Sequence, residues 1–193
     1  MEYAIKEAGF YVVSFCENGN LLSQWRAYGD DGCGVAIGFD AEYFKALCVK
    51  NANDSSFYIL GKCGYTSGQY VEIFQNVYKH FCPSPEIKIP EDAVVQMLAV
   101  IASFCKHDTF AEEQECRIVV GPDVDKKYRK SGERVVPYHE LSLSVDYSWL
   151  KEIIVGPCHQ QIATKTAIGA LLDELSIKNV AVQCSPTPYR GRG

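Results

Sequence analysis

The stretch Thr109–Val120, TFAEEQECRIVV, carries two carboxylates and a guanidinium at alternate positions: Glu113, Glu115 and Arg117. On a strand, alternate residues share a face. The spacing therefore predicts these three on one surface, with Cys116, Ile118 and Val120 on the other. Like charges that close raise each other's proton affinity, so one acid can hold a proton while its neighbour stays ionised. A carboxylate in such a place can accept a hydrogen bond from a sugar hydroxyl. It can also steady the oxocarbenium-like cation formed when a glycosidic bond breaks. Arg117 has the fork that grips a phosphate. The same pattern also describes a solvated strand on which Arg117 relieves two acids, and spacing leaves both readings open. A third reading makes Glu113 and Glu115 oxygen ligands of Mg²⁺, but it lacks a further carboxylate or Lys.

A second group, Gln24-Trp25-Arg26-Ala27-Tyr28-Gly29, precedes the turn GDDGCG and the segment Val35–Phe39. Leu21, Trp25 and Tyr28 fall at i, i+4 and i+7 and make the inward stripe of a short helix over 21–28. Arg26 lies off that stripe, free to face a pocket or solvent. In the following strand Val35, Ile37 and Phe39 share one face, and Gly34, Ala36 and Gly38 leave the other almost bare. A bare face admits a ligand, a ring or another backbone, and also serves simple packing. GDDGCG lacks the glycine order of a phosphate-binding loop. Thiol catalysis finds no support: Cys116 sits beside acids, no Cys–His pair stands out, and no GxSxG elbow occurs. The four histidines sit at helix or turn ends and form no metal motif.

The elements that must position these groups follow from the pattern. Strands are expected at Phe10–Cys16, Val35–Phe39, Phe57–Tyr65, the opening stretch, Arg134–Leu143, Glu152–Val155 and Asn179–Cys184. Helices are expected at 21–28, at Asp40–Val49 with Asp40 as cap, and at Gln69–Phe81. Another runs from Glu91 to about His107, and the last is Gln161–Leu175. Val94, Met97, Leu98, Ile101, Phe104 and Cys105 make the Glu91 helix the central buried one. Pro83, Pro85 and Pro90 stiffen the connection before it. About six strands and five helices in no strict βαβ order predict an α+β fold. Its core is a single mixed, mainly antiparallel sheet flanked by helices, in one domain over residues 1–193.

Composition bounds the rest. The chain has 193 residues, with 19 basic and 24 acidic side chains, a formal charge of −5. That balance argues against nonspecific binding to nucleic acid or anionic membranes. The basic run Lys126–Lys130, KKYRK, reads as a solvated turn, and Arg190–Arg192 as a frayed end. Nine cysteines without a CxxC pair fit buried thiols in a reducing cytosol. No segment reads as a signal peptide or a membrane span, so a cytoplasmic protein is expected.

Three segments are similar to the bacterial domain-of-unknown-function family two-nine-seven-one. They are VVSFCENGNLLSQWRAYGDDGCGVAIGFD, F-x-E-E-Q-E-C-R-I-V, and IIVGP followed by SPTPYR. The order of motifs in fuller members of that family in turn resembles ADP-ribosyltransferase-like domains and their split sheet. That resemblance implies an NAD-using transferase or glycohydrolase, acting as a toxin or phage-defence effector on a nucleotide or protein acceptor. It implies that Glu115 is the catalytic carboxylate and that Glu113 orients the acceptor. Arg117, Arg26, Tyr28 and Trp25 would then line the NAD pocket, beside the bare strand face, with no metal. Fuller members carry an upstream strand and loop, and MEYAIKEAGFYVVSF starts beyond them, so the resemblance implies a truncated or inactive copy. A sheet edge exposed by the lost strand would favour oligomers. The alternative is a non-catalytic module of a defence or stress system, binding a nucleotide or a protein, in which the acids and Arg117 hold the sheet together.

Overall fold

The computed structural model describes residues 9–52, 56–82, 84, 90–122 and 124–189. Pro83, Pro85 and Arg190–Arg192, named above, lie outside them. The described elements follow in the order β1 (Tyr11–Cys16), α1 (Leu22–Ala27), β2 (Val35–Phe39), α2 (Ala41–Asn51), β3 (Ser56–Lys62), α3 (Ser67–Phe81), α4 (Glu91–Phe104), β4 (Glu115–Pro122), β5 (Lys127–Ser131), β6 (Arg134–Tyr138), β7 (Leu150–Val155), α5 (Gln161–Glu174) and β8 (Ala181–Cys184). Short 3-10 turns at Asp30–Gly32 and Asp108–Glu113 interrupt the order. The class is α+β, as expected. The single sheet is not: among the described residues the strands pair as β1-β4-β3, β2-β7-β8 and β5-β6.

The chain divides into two compact units. Unit 1 holds residues up to Glu17 and Leu47–Leu141, and unit 2 holds Asn18–Ala46 and Ser142 onward.

In unit 1, β4 is the central strand, antiparallel to β1 and to β3. Ile118, Val119 and Val120 are all buried, so both faces of β4 are covered. Val119 packs with Phe10, Val77, Met97, Val100 and Phe104 in one apolar cluster supplied by β4, α3 and α4. Phe10 lies so close to Gly121 that a Cβ there would stand 2.4 Å from its ring, which is why this position in β4 needs glycine. A capping box between Thr66 and Gln69 starts α3. The apolar stripe read on α4 is partly right: Met97 and Phe104 are buried, Leu98 is exposed, and Val100, outside that stripe, is fully buried. The helix stops at Phe104, three residues short of the expected end. Cys105 instead bridges to Gly64 in extended conformation.

In unit 2, β2 is antiparallel to β7, and β7 is parallel to β8. Parallel neighbours need a crossover, and α5 supplies it, so one βαβ unit exists where none was read. Val155, Ile154, Leu150 and Leu172 are buried here, and Phe44 meets Phe39 edge-on. Asp40 caps α2 as expected, its Oδ1 accepting from the amides of Glu42 and Tyr43.

Candidate functional site

Glu115 opens β4, but Glu113 is not on that strand. It ends a 3-10 turn, and Gln114 between them is left-handed at φ 43°. Strand alternation therefore does not bring the two carboxylates together. Lys106 does, a residue the pattern had placed inside a helix. Because α4 ends at Phe104, the backbone of Lys106 pairs with Gly64, its carbonyl accepts from the Tyr70 hydroxyl, and its ammonium points at both acids. Lys106 Nζ lies 2.5 Å from Glu113 Oε2 and 2.7 Å from Glu115 Oε2. It also lies 4.9 Å from the centre of the Phe110 ring.

Glu115 is 5% exposed. Arg117, two residues on and on the same face, grips it with both prongs: Nε donates to Oε1 at 2.8 Å and Nη2 to Oε2 at 2.9 Å. Arg117 Nη1 donates to the Ser103 carbonyl, fastening β4 to the last turn of α4. The Ser14 side chain, opposite Arg117 on β1, adds a hydrogen bond to the carboxylate. The Glu115 amide donates to the Tyr65 hydroxyl at 2.8 Å, and its carbonyl accepts from the Cys63 amide.

Burial pushes the Glu115 carboxyl up, and hydrogen bonds from Arg117, Lys106 and Ser14 outweigh it, so the carboxyl titrates at about 2. For Glu115 the shift is opposite to the rise expected of an acid beside a bare neighbouring carboxylate. The carboxylates do not face each other bare; an ammonium stands between them. Burial lowers the Lys106 ammonium, but its bonds to Glu113 and Glu115 outweigh that and leave it raised. The Cys63 thiol beneath is pushed up to about 11, chiefly by burial. Cys116 is raised by burial first and then by Glu17, as its acidic surroundings suggested.

Trp25, Arg26 and Tyr28 belong to unit 2, whereas Glu113, Glu115 and Arg117 belong to unit 1. Trp25 is buried at 3% exposure, as the helical spacing predicted. Tyr28 is not part of that stripe: the helix ends at Ala27, and the ring is 78% exposed. On the bare side of β2, Gly34, Ala36 and Gly38 are half-buried. A Cβ at Gly38 would stand 3.0 Å from Glu152 Cβ, and one at Gly34 3.0 Å from the Gly29 carbonyl oxygen.

Pattern reading missed what these motif residues do. The side-chain oxygen of Asn20 accepts three hydrogen bonds: from Trp25 Nε1 at 2.9 Å, Ser185 Oγ at 2.5 Å and Thr187 Oγ1 at 3.2 Å. Gln161 fixes the same turn by donating to the Ser185 carbonyl. The Tyr189 hydroxyl donates to Asp31, and Arg26 stacks on the Tyr189 ring with 5.2 Å between Cζ and the ring centre. The Asp31 bond raises the Tyr189 hydroxyl's affinity for its proton. Asp31 and Gly32 both have positive φ, at 50° and 89°, and Tyr189 lies against Gly32. The signal was present: ENGN, GDDG and SPTPYR all lie in the segments quoted for the resemblance.

In this arrangement Arg117 donates through Nε, Nη1 and Nη2 within unit 1, and both Glu115 oxygens are taken. Among the described residues no three His, Cys, Asp or Glu side chains group as metal ligands, and no helix is long and apolar enough to cross a membrane.

No curated protein matches the chain, and no solved structure does. Residues 24–118 match the family described as "Protein of unknown function (DUF2971)". The match runs from the α1 motif through Arg117 and stops before IIVGP and SPTPYR, so the Glu115 cluster falls inside it and Ser185 and Tyr189 outside. Over the segment 24–118, this match bears out the domain-of-unknown-function family read from the motifs.

Proposed function

We propose that the chain is a non-catalytic module that binds a nucleotide or a protein partner, and that the Glu115 cluster serves its fold. The carrying observation is the saturation of Glu115: it is buried, and two cations and a hydroxyl already occupy its oxygens. A carboxylate that must meet a ribose has to keep an oxygen open to it. Glu115→Gln tests this in the full chain. The expected result is a lower melting temperature with ligand affinity unchanged. Affinity that collapses without loss of stability would refute it.

One observation favours the second reading, an NAD-using ADP-ribosyltransferase or glycohydrolase. A carboxylate held ionised near neutral pH is what stabilising an oxocarbenium ion requires, and Glu115 titrates at about 2. Calorimetric NAD titration and a nicotinamide-release assay separate the readings. Turnover by the wild type that Glu115→Gln abolishes, at equal folded fraction, would replace the binding module with the enzyme.

A further inference from the structure

The run KKYRK is not a turn. Lys127–Ser131 is β5, paired antiparallel with β6 through the two-residue turn Gly132-Glu133, with Gly132 at φ 58°. Positive φ at this position suits the tight turns that close two-residue hairpins. Every residue of β5 is exposed. Residues 126–134 contain five of the chain's 19 basic side chains and one of its 24 acids, a local charge of +4 in a chain of −5.

The two faces of this ribbon differ. Lys127 and Arg129 stand opposite Tyr138 and Val136, which are half-buried. Lys127 pairs there with Glu140 at 2.5 Å, and Arg129 lies 5.9 Å from the centre of the Tyr138 ring. The other face carries Tyr128 and Lys130, opposite Pro137 and Val135. Tyr128 is 67% exposed and Val135 72%. Lys126, two residues before Tyr128, is exposed as well. Tyr128 and Lys130 share this face about 6.8 Å apart at strand spacing, and the exposed Lys126 stands just before the strand, so the chain order is ammonium, ring, ammonium.

We propose that this outward face binds a single-stranded polynucleotide, with a base stacked on Tyr128 and flanking phosphates on Lys126 and Lys130. A single strand presents rings and anions in alternation, which the row complements. A duplex keeps its rings stacked on each other and offers Tyr128 none. An acidic peptide or an anionic bilayer would use the lysines but leave the ring idle. The inference stands on residues outside the Glu115 cluster and does not rest on the reading of that cluster.

The test is fluorescence anisotropy of the full chain with a labelled oligothymidine of about twelve nucleotides at about 50 mM salt. Binding is expected in the micromolar range, weakening roughly tenfold between about 50 and 200 mM salt for two or three phosphate contacts. Tyr128→Ala should weaken it by at least about fivefold, the low end of what one stacked base contributes. The double variant Lys126→Glu/Lys130→Glu should abolish it. Lys165→Glu/Lys178→Glu, an equal charge change outside the hairpin, should leave it intact. No binding at low salt would overturn the proposal. So would Tyr128→Ala binding like the wild type, or a duplex, polyglutamate or anionic vesicles binding as tightly as the single strand. All the variants are at exposed positions, and matching circular dichroism spectra confirm that each loss reflects contact rather than unfolding.

Discussion

Glu115 in unit 1 and Asn20 in unit 2 each gather several donors, and they do so with opposite chemistry. In unit 1, Glu115 takes Arg117, Lys106 and Ser14. In unit 2, Asn20 takes Trp25, Ser185 and Thr187. The first hub is ionic, and the second is neutral. Removing one partner from a buried ionic hub leaves charges uncompensated, and the hub responds to pH. Removing a neutral acceptor leaves donors unpaired at a smaller cost, without pH dependence. The same task of tying loop to strand is therefore expected to fail in different ways in the two units.

The largest break of this contrast is Glu115→Ala. It strands Lys106 and Arg117 beside each other, and should cost about 3–5 kcal/mol. Hydrogen exchange read on β4 should lose protection by that margin. Asn20→Ala removes the acceptor from the Trp25 indole and from buried Ser185, for about 2 kcal/mol, read on β7 and constant from pH 7 to pH 4. An equal pH slope in both variants would erase the distinction. Gly156→Ala probes unit 2 sterically: the new methyl would stand 2.4 Å from the Gly32 carbonyl oxygen, and forcing the two backbone segments apart should cost about 1–2 kcal/mol in a urea melt. Arg26→Ala is expected to be the mildest, at about 0.5–1 kcal/mol from the lost stacking on Tyr189. A larger loss would mean that Arg26 carries more of unit 2 than its ring contact implies.

The elements were legible where residue type and periodicity agree. The strands Tyr11–Cys16 and Val35–Phe39, the Asp40 cap and the buried Trp25 all follow from short-range pattern. Three features were not legible, each for a physical reason. The partition of strands into separate sheets is a matter of long-range pairing, which alternation along one strand does not encode. Lys106 was hidden because apolar spacing continues to Cys105, while the chain actually leaves the helix to bridge Gly64. Glu113 kept its place beside Glu115 by a different route, through a left-handed Gln114 rather than through strand geometry. The charged triad was thus found by sequence, and its fourth member, which sets its electrostatics, was not. In unit 2 the segments ENGN, GDDG and SPTPYR were recognised as motifs. Their meeting at Asn20 and at Tyr189 spans more than 150 positions and needs the fold to be seen.

The central claim is that Glu115 holds unit 1 together as an ionised carboxylate. Its carboxyl falls from 4.5 in the open chain to about 2 when folded, a difference of about 3 kcal/mol shared with Lys106 and Arg117. A carboxyl depressed by folding stabilises the protein fully above the open-chain value, and the contribution fades as pH falls from about 4.5 toward 2. Thermal melts of the wild type and Glu115→Gln from pH 7 to pH 3 read this directly. The account predicts a variant that melts about 10 °C lower at pH 7, with the gap closing as the wild type loses its advantage below about pH 4.5. Equal melting temperatures at pH 7, or a gap that does not change with pH, would contradict it.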